Sequence, residues 1–277
     1  MINDNTLRKP SVITRRTRAL KRAVYWHMSA VLPIILAAEF PKSGGTWIAQ
    51  MVASAAGYRF PRNLLPPHFW KTLLLGHYKS SPLYDRVFVI FRDGRDVMVS
   101  AYHHFLFENE WNDPRTADWA RREINYGPED EPYAKFDDFV EWMFTGYCKG
   151  VMRFSWAEFA RSWIDKDVPK VFYERMLTEP VRELHQLCQA LGISVGEQRI
   201  REIVYENSFA AQTGRKRGKA VQKDSSAFAR KGIAGDWKNV FDKRSAEIFD
   251  HYAGAELIAL GYEEDRSWFD LEENIGD

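Results

Sequence analysis

The chain has 277 residues, of which 45% are hydrophobic and 28% charged, and its formal net charge is +1. This is the mixture of a globular chain that buries a large core without a metal or disulfide staple. A charge so near zero excludes binding of nucleic acid or another polyanion over the whole surface, so any anion site must be local. Cys148 and Cys188 lie in apolar surroundings outside any C-x-x-C pattern, and we interpret both as reduced thiols of a cytoplasmic protein.

The N-terminus is strongly basic and is followed by an apolar run. Lysine or arginine occupies seven of the positions 8–22, and the run covers Val31–Ala38. This order imitates a secretory signal, but the run contains a proline, is too short to span a bilayer, and would take a predicted strand with it on cleavage. We interpret residues 1–30 as a mobile or loosely docked basic arm, or alternatively as a contact for an anionic lipid surface or acceptor. Residues 31–277 are predicted to form a single domain.

Strands and helices alternate along the rest of the chain. Short apolar runs predict strands at Ile34–Phe40, Arg86–Phe91 and Pro169–Tyr173, and Glu39 is the one charged residue in the first. Capping residues and apolar periodicity predict helices over 46–57, 96–107, 136–164, 178–192 and 243–260. The alternation predicts an α/β fold with a parallel sheet covered on both faces. Ligands bind such sheets at the carboxyl ends of the strands, where 41–46 and 92–96 are polar loops.

The loop that follows the first predicted strand is suited to an anion. Its sequence at 41–47 is P-K-S-G-G-T-W. Two glycines allow close approach of the backbone, and the N–H groups that open the next helix point at the ligand. The order of residues is not that of the G-x-x-x-x-G-K-[ST] loop, and no paired acidic residues indicate a magnesium site. We therefore expect a phosphate-like anion bound without a metal.

Three sequence blocks resemble those of the cytosolic sulfotransferase family, in the family's order. The loop at 41–47 is similar to the 5′-phosphosulfate loop, usually P-K-S-G-T-T-W. R-D-G-R-D-V-M-V-S at 92–100 is similar to the 3′-phosphate block, and R-K-G-I-A-G-D-W-K-N at 230–239 to the R-K-G-x-x-G-D-W-K block. The resemblance implies a P-loop-like, three-layer α/β fold with a central parallel sheet flanked by helices. It also implies 3′-phosphoadenosine 5′-phosphosulfate (PAPS) as donor and 3′-phosphoadenosine 5′-phosphate (PAP) as product, with no metal required.

The resemblance assigns catalytic roles to three residues. Lys42 is expected to stabilise the departing bridging oxygen, and His77 to take the proton of the acceptor hydroxyl. Ser100 is expected to contact the 3′-phosphate and to interact with Lys42 before the acceptor arrives. Two departures stand out: the family's lysine two residues before the histidine is Leu75 here, and Gly45 replaces the usual threonine. The second departure removes one hydroxyl from the phosphosulfate loop.

The donor-binding residues come from the three blocks and from shorter stretches between them. Arg92 suits bidentate binding of the 3′-phosphate. Trp47 and Phe228 are expected to stack on the adenine, and Tyr173 to contact its edge. The full set expected at the donor is Lys42, Ser43, Gly44, Gly45, Thr46, Trp47, Arg92, Ser100, Tyr173, Ser208, Phe209, Phe228, Arg230, Lys231 and Gly232.

The acceptor is expected to be a hydroxyl compound that is small and hydrophobic, a lipid or a glycolipid. The predicted cover of its pocket is Phe105–Phe139, which mixes Trp111, Trp119, Tyr126 and Tyr133 with many acidic residues. These acidic residues could alternatively face water. His103 and His104 are less favoured alternatives to His77 as the base.

The oligomeric state and two rival functions complete the predictions. Residues 238–247, K-N-V-F-D-K-R-S-A-E, depart from the K-x-x-x-T-V-x-x-x-E dimer segment of many relatives, so we expect a monomer or a different homodimer. A nucleotide kinase on the same fold would need a Walker loop and a magnesium-binding acid. A non-catalytic nucleotide-binding protein would be expected to have lost Lys42 or His77.

Overall fold

The protein is built around four parallel strands, as seen in a computed structural model that describes residues 12–62, 64–106, 114–214, 217 and 231–269. The strands are β1 (Ile34–Glu39), β2 (Thr72–Gly76), β3 (Val87–Phe91) and β4 (Lys170–Phe172). They lie in the order β2-β1-β3-β4, and every pair is parallel. The predicted α/β class with a central parallel sheet is therefore confirmed. The strand β2 was not predicted from the sequence.

Helices cover both faces of the sheet. In chain order they are α1 (Val12–Met28), α2 (Gly45–Ala56), α3 (Gly94–Leu106), α4 (Pro114–Glu123), α5 (Phe136–Trp142), α6 (Trp156–Trp163), α7 (Tyr173–Thr178), α8 (Pro180–Ala190), α9 (Glu197–Glu206), α10 (Phe209–Thr213) and α11 (Lys243–Ala259). One face packs on α2, α8 and α9, and the other on α1, α3, α5, α6 and α11. Since both faces are covered, every residue of β1 and β3 is buried, which explains why both strands are apolar apart from Glu39.

The order of the strands places a crevice between β1 and β3. From β1 the chain crosses by way of α2 to β2 on one side, and it later returns to β3 on the other. The loops that leave the carboxyl ends of β1 and β3 therefore diverge, which is the arrangement at which open α/β sheets bind ligands. These are the loops 40–44 and 92–93, which overlap the two polar segments predicted from the sequence, 41–46 and 92–96.

Two predicted helices were wrong in their extent. The segment predicted as one helix over 136–164 consists of α5, a π-helix over Met143–Met152, and α6. Arg153 has a φ of 68°, which ends the first part, and Ser155 begins α6 through a reciprocal capping box with Glu158. Likewise Thr178 does not cap α8, because it is the last residue of α7, and Pro180 opens α8 instead.

The basic N-terminal segment contributes a helix to the fold. Tyr25 of α1 has no exposed surface, and its hydroxyl lies 2.6 Å from the hydroxyl of Ser81. The ammonium of Lys21 donates to the carbonyl of Arg62 at 3.0 Å. The division of the chain at residue 30 stays a prediction. Within the described parts of the chain, no helix is long and apolar enough to cross a membrane.

Candidate active site

The loop 41–47 has a backbone conformation that requires positive φ angles. Lys42 and Gly44 both have positive φ angles, 75° and 84°. A side chain at Gly44 would meet the ring of Tyr173 at 2.5 Å, so glycine is required there both by the backbone and by the space. Gly57, with a φ of 64°, ends α2 as predicted. The loop is thus held between the strand end and the ring of Tyr173.

A buried carboxylate lies against the start of α2. The backbone N–H of Gly45 donates to Oε2 of Glu39 at 2.7 Å, and Glu39 is only 5% exposed. Burial raises the pKa of Glu39 to about 7, although the Gly45 N–H and the charge of Lys42 both lower it. One signal of this contact is visible in the sequence, because Glu39 is the only charged residue in an otherwise apolar strand. Its partner could not be foreseen.

Arg92 joins the three sequence blocks. Its guanidinium donates to the carbonyl of Lys42 at 2.9 Å, in the first block, and to the carbonyl of Ile233 at 3.4 Å, in the third. It also lies over the ring of Tyr173, 4.5 Å from the centroid. Three segments that are widely separated in sequence therefore meet at one guanidinium, beside the crevice between β1 and β3.

Asp96 anchors the third block and was not among the predicted site residues. Its carboxylate, buried at the start of α3, accepts the N–H groups of Gly235 at 2.8 Å and Trp237 at 3.0 Å. It also lies 3.8 Å from Arg92. Within the block, Lys231 pairs with Asp236 at 2.7 Å. Asp96 is the second acidic residue of R-D-G-R-D at 92–96, but only the folded structure shows that it binds the backbone of the third block.

The residues predicted to hold the nucleotide base form a second group of contacts. Trp47 packs edge-on against Tyr173, with centroids 6.0 Å apart, and its indole N–H donates to the carbonyl of Asn207 at 2.7 Å. Ser208 caps α10, and the ring of Phe209 packs on Gly232, where an added Cβ would lie 2.5 Å away. Phe228 and Arg230 lie outside the described residues, as does Trp111 of the predicted acceptor cover.

His77 directly follows β2 at the carboxyl edge of the sheet. Its Nδ1 lies 3.1 Å from the carbonyl oxygen of Glu39, and its side chain is exposed. Since a carbonyl can only accept, Nδ1 carries the hydrogen in this contact, and Nε2 is the accepting nitrogen of the neutral ring.

The two alternative histidines have different surroundings. Burial, and then the charge of Lys42, lowers the pKa of His104 to about 3, so its ring is neutral near pH 7. Ser100 and His104 are four residues apart on α3 and thus share one face of the helix. His103 instead contacts the hydroxyl of Tyr133. His103 and His104 are adjacent in the chain, so the sequence alone does not show which of the two is influenced by Lys42.

Two buried polar atoms of the site fit an absent anionic ligand. In the part of the chain that the structure describes, neither Ser43 Oγ nor Arg92 Nε has a hydrogen-bond partner. Buried polar groups are rarely left without one. Both atoms belong to residues predicted to hold the donor, and an anion bound at the loop would supply acceptors for them.

A family model for the sulfotransferase domain matches residues 58–261. The chain belongs to the sulfotransferase family. The match covers most of the chain, including the blocks at 92–100 and 230–239, and it begins after the loop 41–47. The interpretation of that loop as part of the site therefore rests on its own sequence and on the contact between its Lys42 carbonyl and Arg92 in the matched region.

Characterised sulfotransferases are similar over much of the chain. Bovine sulfotransferase 1A1 is 28% identical over 79% of this chain and 82% of its own length. Rat sulfotransferase 1C2 and guinea-pig sulfotransferase 1E1 are each 28% identical over 69% of this chain, but the alignments span only 57% and 58% of those relatives.

Solved structures support the fold. Mouse sulfotransferase SULT7A1 in complex with PAP is 22% identical and aligns with a TM-score of 0.55 over 83% of this chain and 89% of that protein. Retinol dehydratase in complex with retinol and PAP is 18% identical, with a TM-score of 0.57 over 87% of this chain and 86% of that protein. This sulfotransferase therefore has the fold of proteins solved with PAP.

Proposed function

We propose that the protein transfers the sulfuryl group of PAPS to a hydroxyl of an acceptor and releases PAP. The observation that carries this proposal is the position of Arg92, whose guanidinium contacts both the phosphosulfate loop and the third block. A guanidinium held there from two sides can bind a phosphate bidentately while it fixes the walls of the site. The PAP complexes of proteins with the same fold agree with this donor.

The loop and Lys42 are proposed to act on the leaving group. In the reaction, a bond forms between the acceptor oxygen and sulfur, and the bond from sulfur to the bridging oxygen breaks. Negative charge grows on the bridging oxygen, where the ammonium of Lys42 and the N–H groups at the start of α2 would stabilise it. One such contact is worth about 3 kcal/mol of the barrier.

His77 is proposed to accept the proton of the acceptor hydroxyl. The carbonyl of Glu39 selects the tautomer with the hydrogen on Nδ1, which leaves Nε2 as the basic atom. The exposed position of His77 is compatible with access by an acceptor from solvent. Leu75 stands where the family has a lysine, so the positive charge beside His77 is lower than in the family pattern.

The 3′-phosphate and the adenine are proposed to lie along the other contacts. Arg92, Ser100, Arg230, Lys231 and Gly232 would hold the phosphate. Trp47, Tyr173, Ser208, Phe209 and Phe228 would line the base, and the ring contact of Trp47 with Tyr173 supports a shared surface for it. Ser43, Gly44, Gly45 and Thr46 would face the 5′-phosphosulfate.

The acceptor is proposed to be a hydrophobic, lipid or glycolipid alcohol. The aromatic side chains of the predicted pocket cover are not fully exposed, since Trp119, Tyr126 and Tyr133 are half-buried against the core. Large apolar side chains are exposed elsewhere, on α1, on the turn between α1 and β1, and on the loop before β2: Leu20, Trp26, Met28, Val31, Leu64, Leu65 and Trp70. The guanidinium of Arg22 on α1 lies 6.0 Å from the ring of Tyr78, next to His77, so this surface borders the proposed base.

The same surface is proposed to contact anionic membranes. The helix α1 carries five arginine and lysine residues and no acidic residue, and exposed leucine and tryptophan side chains accompany it. The wild type should sediment with vesicles that contain phosphatidylserine and not with neutral vesicles, and Leu64→Ser/Trp70→Ser should weaken this binding. Tyr205→Ser, which removes a still more exposed aromatic ring from α9 on the opposite layer, is the control. Absence of wild-type binding would exclude the contact.

We propose a cytoplasmic location and an assembly that is a monomer or a non-standard homodimer. Cys188 is a buried free thiol, which is compatible with the proposed cytoplasmic location. In the segment 238–247, Phe241 is buried in the core and Asp242 caps α11. These residues serve the fold of the monomer, which supports the proposed monomer or non-standard homodimer.

The proposed function is tested by PAP binding and by two variants. Calorimetry should show PAP binding that a chelator does not change, and labelled PAPS should transfer sulfuryl to at least one alcohol of an acceptor panel. Lys42→Ala and His77→Ala should abolish transfer and retain the circular dichroism spectrum of the wild type. Lack of PAP binding by folded protein, or full activity of both variants, would refute the assignment. ATP-dependent phosphorylation that needs magnesium would indicate a kinase instead.

A further inference from the structure

Glu39 is a buried carboxylate that the proposed transfer reaction does not use. It is the last residue of β1, in register with Ile90 of β3 in the middle of the sheet, and its Oε2 accepts the N–H of Gly45. That N–H belongs to the first turn of α2, where the donor's anionic group is proposed to bind. The Glu39 carboxylate, at the end of β1, therefore binds one of the backbone N–H groups at the start of α2.

Glu39 also takes the space of a side chain at position 45. A Cβ added to Gly45 would lie 2.4 Å from both Cδ and Oε2 of Glu39, closer than real Cβ atoms approach another heavy atom. Gly45 does not have a positive φ, so it is this space and not the backbone that requires glycine. The similar family loop has threonine at this place. The two residues of this chain thus form a complementary pair.

The charges around Glu39 come from four segments. Lys42 lies on the loop above it, and His77 contacts its backbone carbonyl. Arg92 holds the carbonyl of Lys42, and His104 on α3, which Lys42 also influences, is neutral near pH 7. Burial raises the pKa of the Glu39 carboxyl to about 7 in spite of Lys42. The carboxyl is therefore close to half-protonated at neutral pH.

We propose that Glu39 is a positioning residue for the donor loop, which fills the place of a side chain at Gly45 and takes up a proton when the anionic donor binds. The inference rests on the proposed function, since PAPS or PAP is the anion concerned. A second negative charge beside a buried carboxylate favours its neutral form. A protonated Glu39 still accepts the Gly45 N–H through its carbonyl oxygen, so the loop is held in both states while the repulsion is removed.

The proton uptake is tested by the pH dependence of PAP binding. PAP affinity is measured by calorimetry at pH 6, 7 and 8 for the wild type and for Glu39→Gln, which keeps the shape and the accepting oxygen. The phosphates of PAP titrate in both experiments, so only the difference in slope between the two proteins reports Glu39. From pH 6 to pH 8 the Kd of the wild type should rise by a factor about ten times larger than that of the variant. This is the change expected for one carboxyl that must be protonated near pH 7 for PAP to bind. Equal slopes would overturn the inference.

The complementary pair is tested by an exchange of side chains. Gly45→Thr alone should weaken PAP binding by about tenfold or more, because its Cβ meets the carboxylate, a change of about 1.4 kcal/mol. Glu39→Thr together with Gly45→Thr should restore the Kd to within about threefold of the wild type, a non-additive result. Gly196→Ala, at a glycine with no atom within 4 Å and an ordinary φ, is the control and should leave the Kd unchanged.

The outcomes separate this inference from the proposed function. If the wild type binds no PAP, the proposed function fails. If the wild type binds PAP but Gly45→Thr binds equally well, or the double variant gains nothing, only the role of Glu39 is overturned. Should Gly45→Thr fail to fold by circular dichroism, the comparison with Glu39→Gln still decides the question.

Discussion

Replacing Arg92 with lysine should weaken donor binding although the charge is conserved. The guanidinium of Arg92 donates to the carbonyls of Lys42 and Ile233 at the same time and lies against the ring of Tyr173. An ammonium is a point charge and cannot make both contacts while it also binds a phosphate bidentately. Arg92→Lys therefore tests the geometry of the site separately from its charge.

The magnitude follows from the hydrogen bond to the donor that a lysine cannot make. A hydrogen bond to a charged group is worth about 1.5–3 kcal/mol. Removal of one such bond to the 3′-phosphate predicts a PAP dissociation constant about 10- to 100-fold higher than that of the wild type. The thermal unfolding midpoint should fall only slightly, because the larger core beside Arg92 is unchanged.

The assay is calorimetric titration with PAP at fixed pH and salt. Arg175→Lys is the matched control, since Arg175 also lies over an aromatic ring, that of Phe172, but its side chain is exposed, whereas that of Arg92 is only 12% exposed. A PAP affinity of Arg92→Lys within twofold of the wild type would refute the bridging role. A decrease in the affinity of Arg175→Lys as well would show a general effect of arginine replacement.

Three further predictions concern buried groups. Asp96→Asn should lower the free energy of unfolding in urea by about 2 kcal/mol, because an amide accepts only one of the two N–H groups of Gly235 and Trp237 with its oxygen; unchanged stability would contradict the anchoring role. Glu39 has a raised pKa, so its contribution to stability is present below pH 4.5 and lost as the pH rises through about 7. Glu39→Gln should therefore unfold at higher urea than the wild type at pH 8 and with little difference at pH 4, and the reverse order would be incompatible with burial of the charge. His104 has a lowered pKa, so the folded state loses stability as the pH falls below about 6.5, and His104→Gln should reduce that loss in the same experiment.

Several features of the fold depend on local sequence and could be predicted from it. Apolar runs at β1 and β3 are buried on both faces, and such runs can be read without knowledge of their neighbours. Gly57 ends α2 for a reason that is local to the backbone. The three blocks likewise carried their own signal, because their residue types and spacing are tied to the chemistry of one anion.

Tertiary contacts decided what the sequence left ambiguous. The strand β2 pairs with β1 and meets Arg59 on its other side, so its place in the sheet is set by contacts with segments apart from it in the chain. Its run of three leucines is too short for its periodicity to distinguish a strand from a helix. The break between α5 and α6 depends on the left-handed conformation of Arg153, a residue that would ordinarily continue a helix.

The site shows the same division between local and distant causes. The types of the residues Lys42, His77 and Arg92 predicted their chemistry, since charge and proton affinity belong to the side chain itself. The partnership of Glu39 with Gly45, and that of Asp96 with the third block, required the folded chain. A hydrogen bond between segments far apart in sequence exists only once the sheet and its helices have brought them together, and no local pattern encodes that meeting.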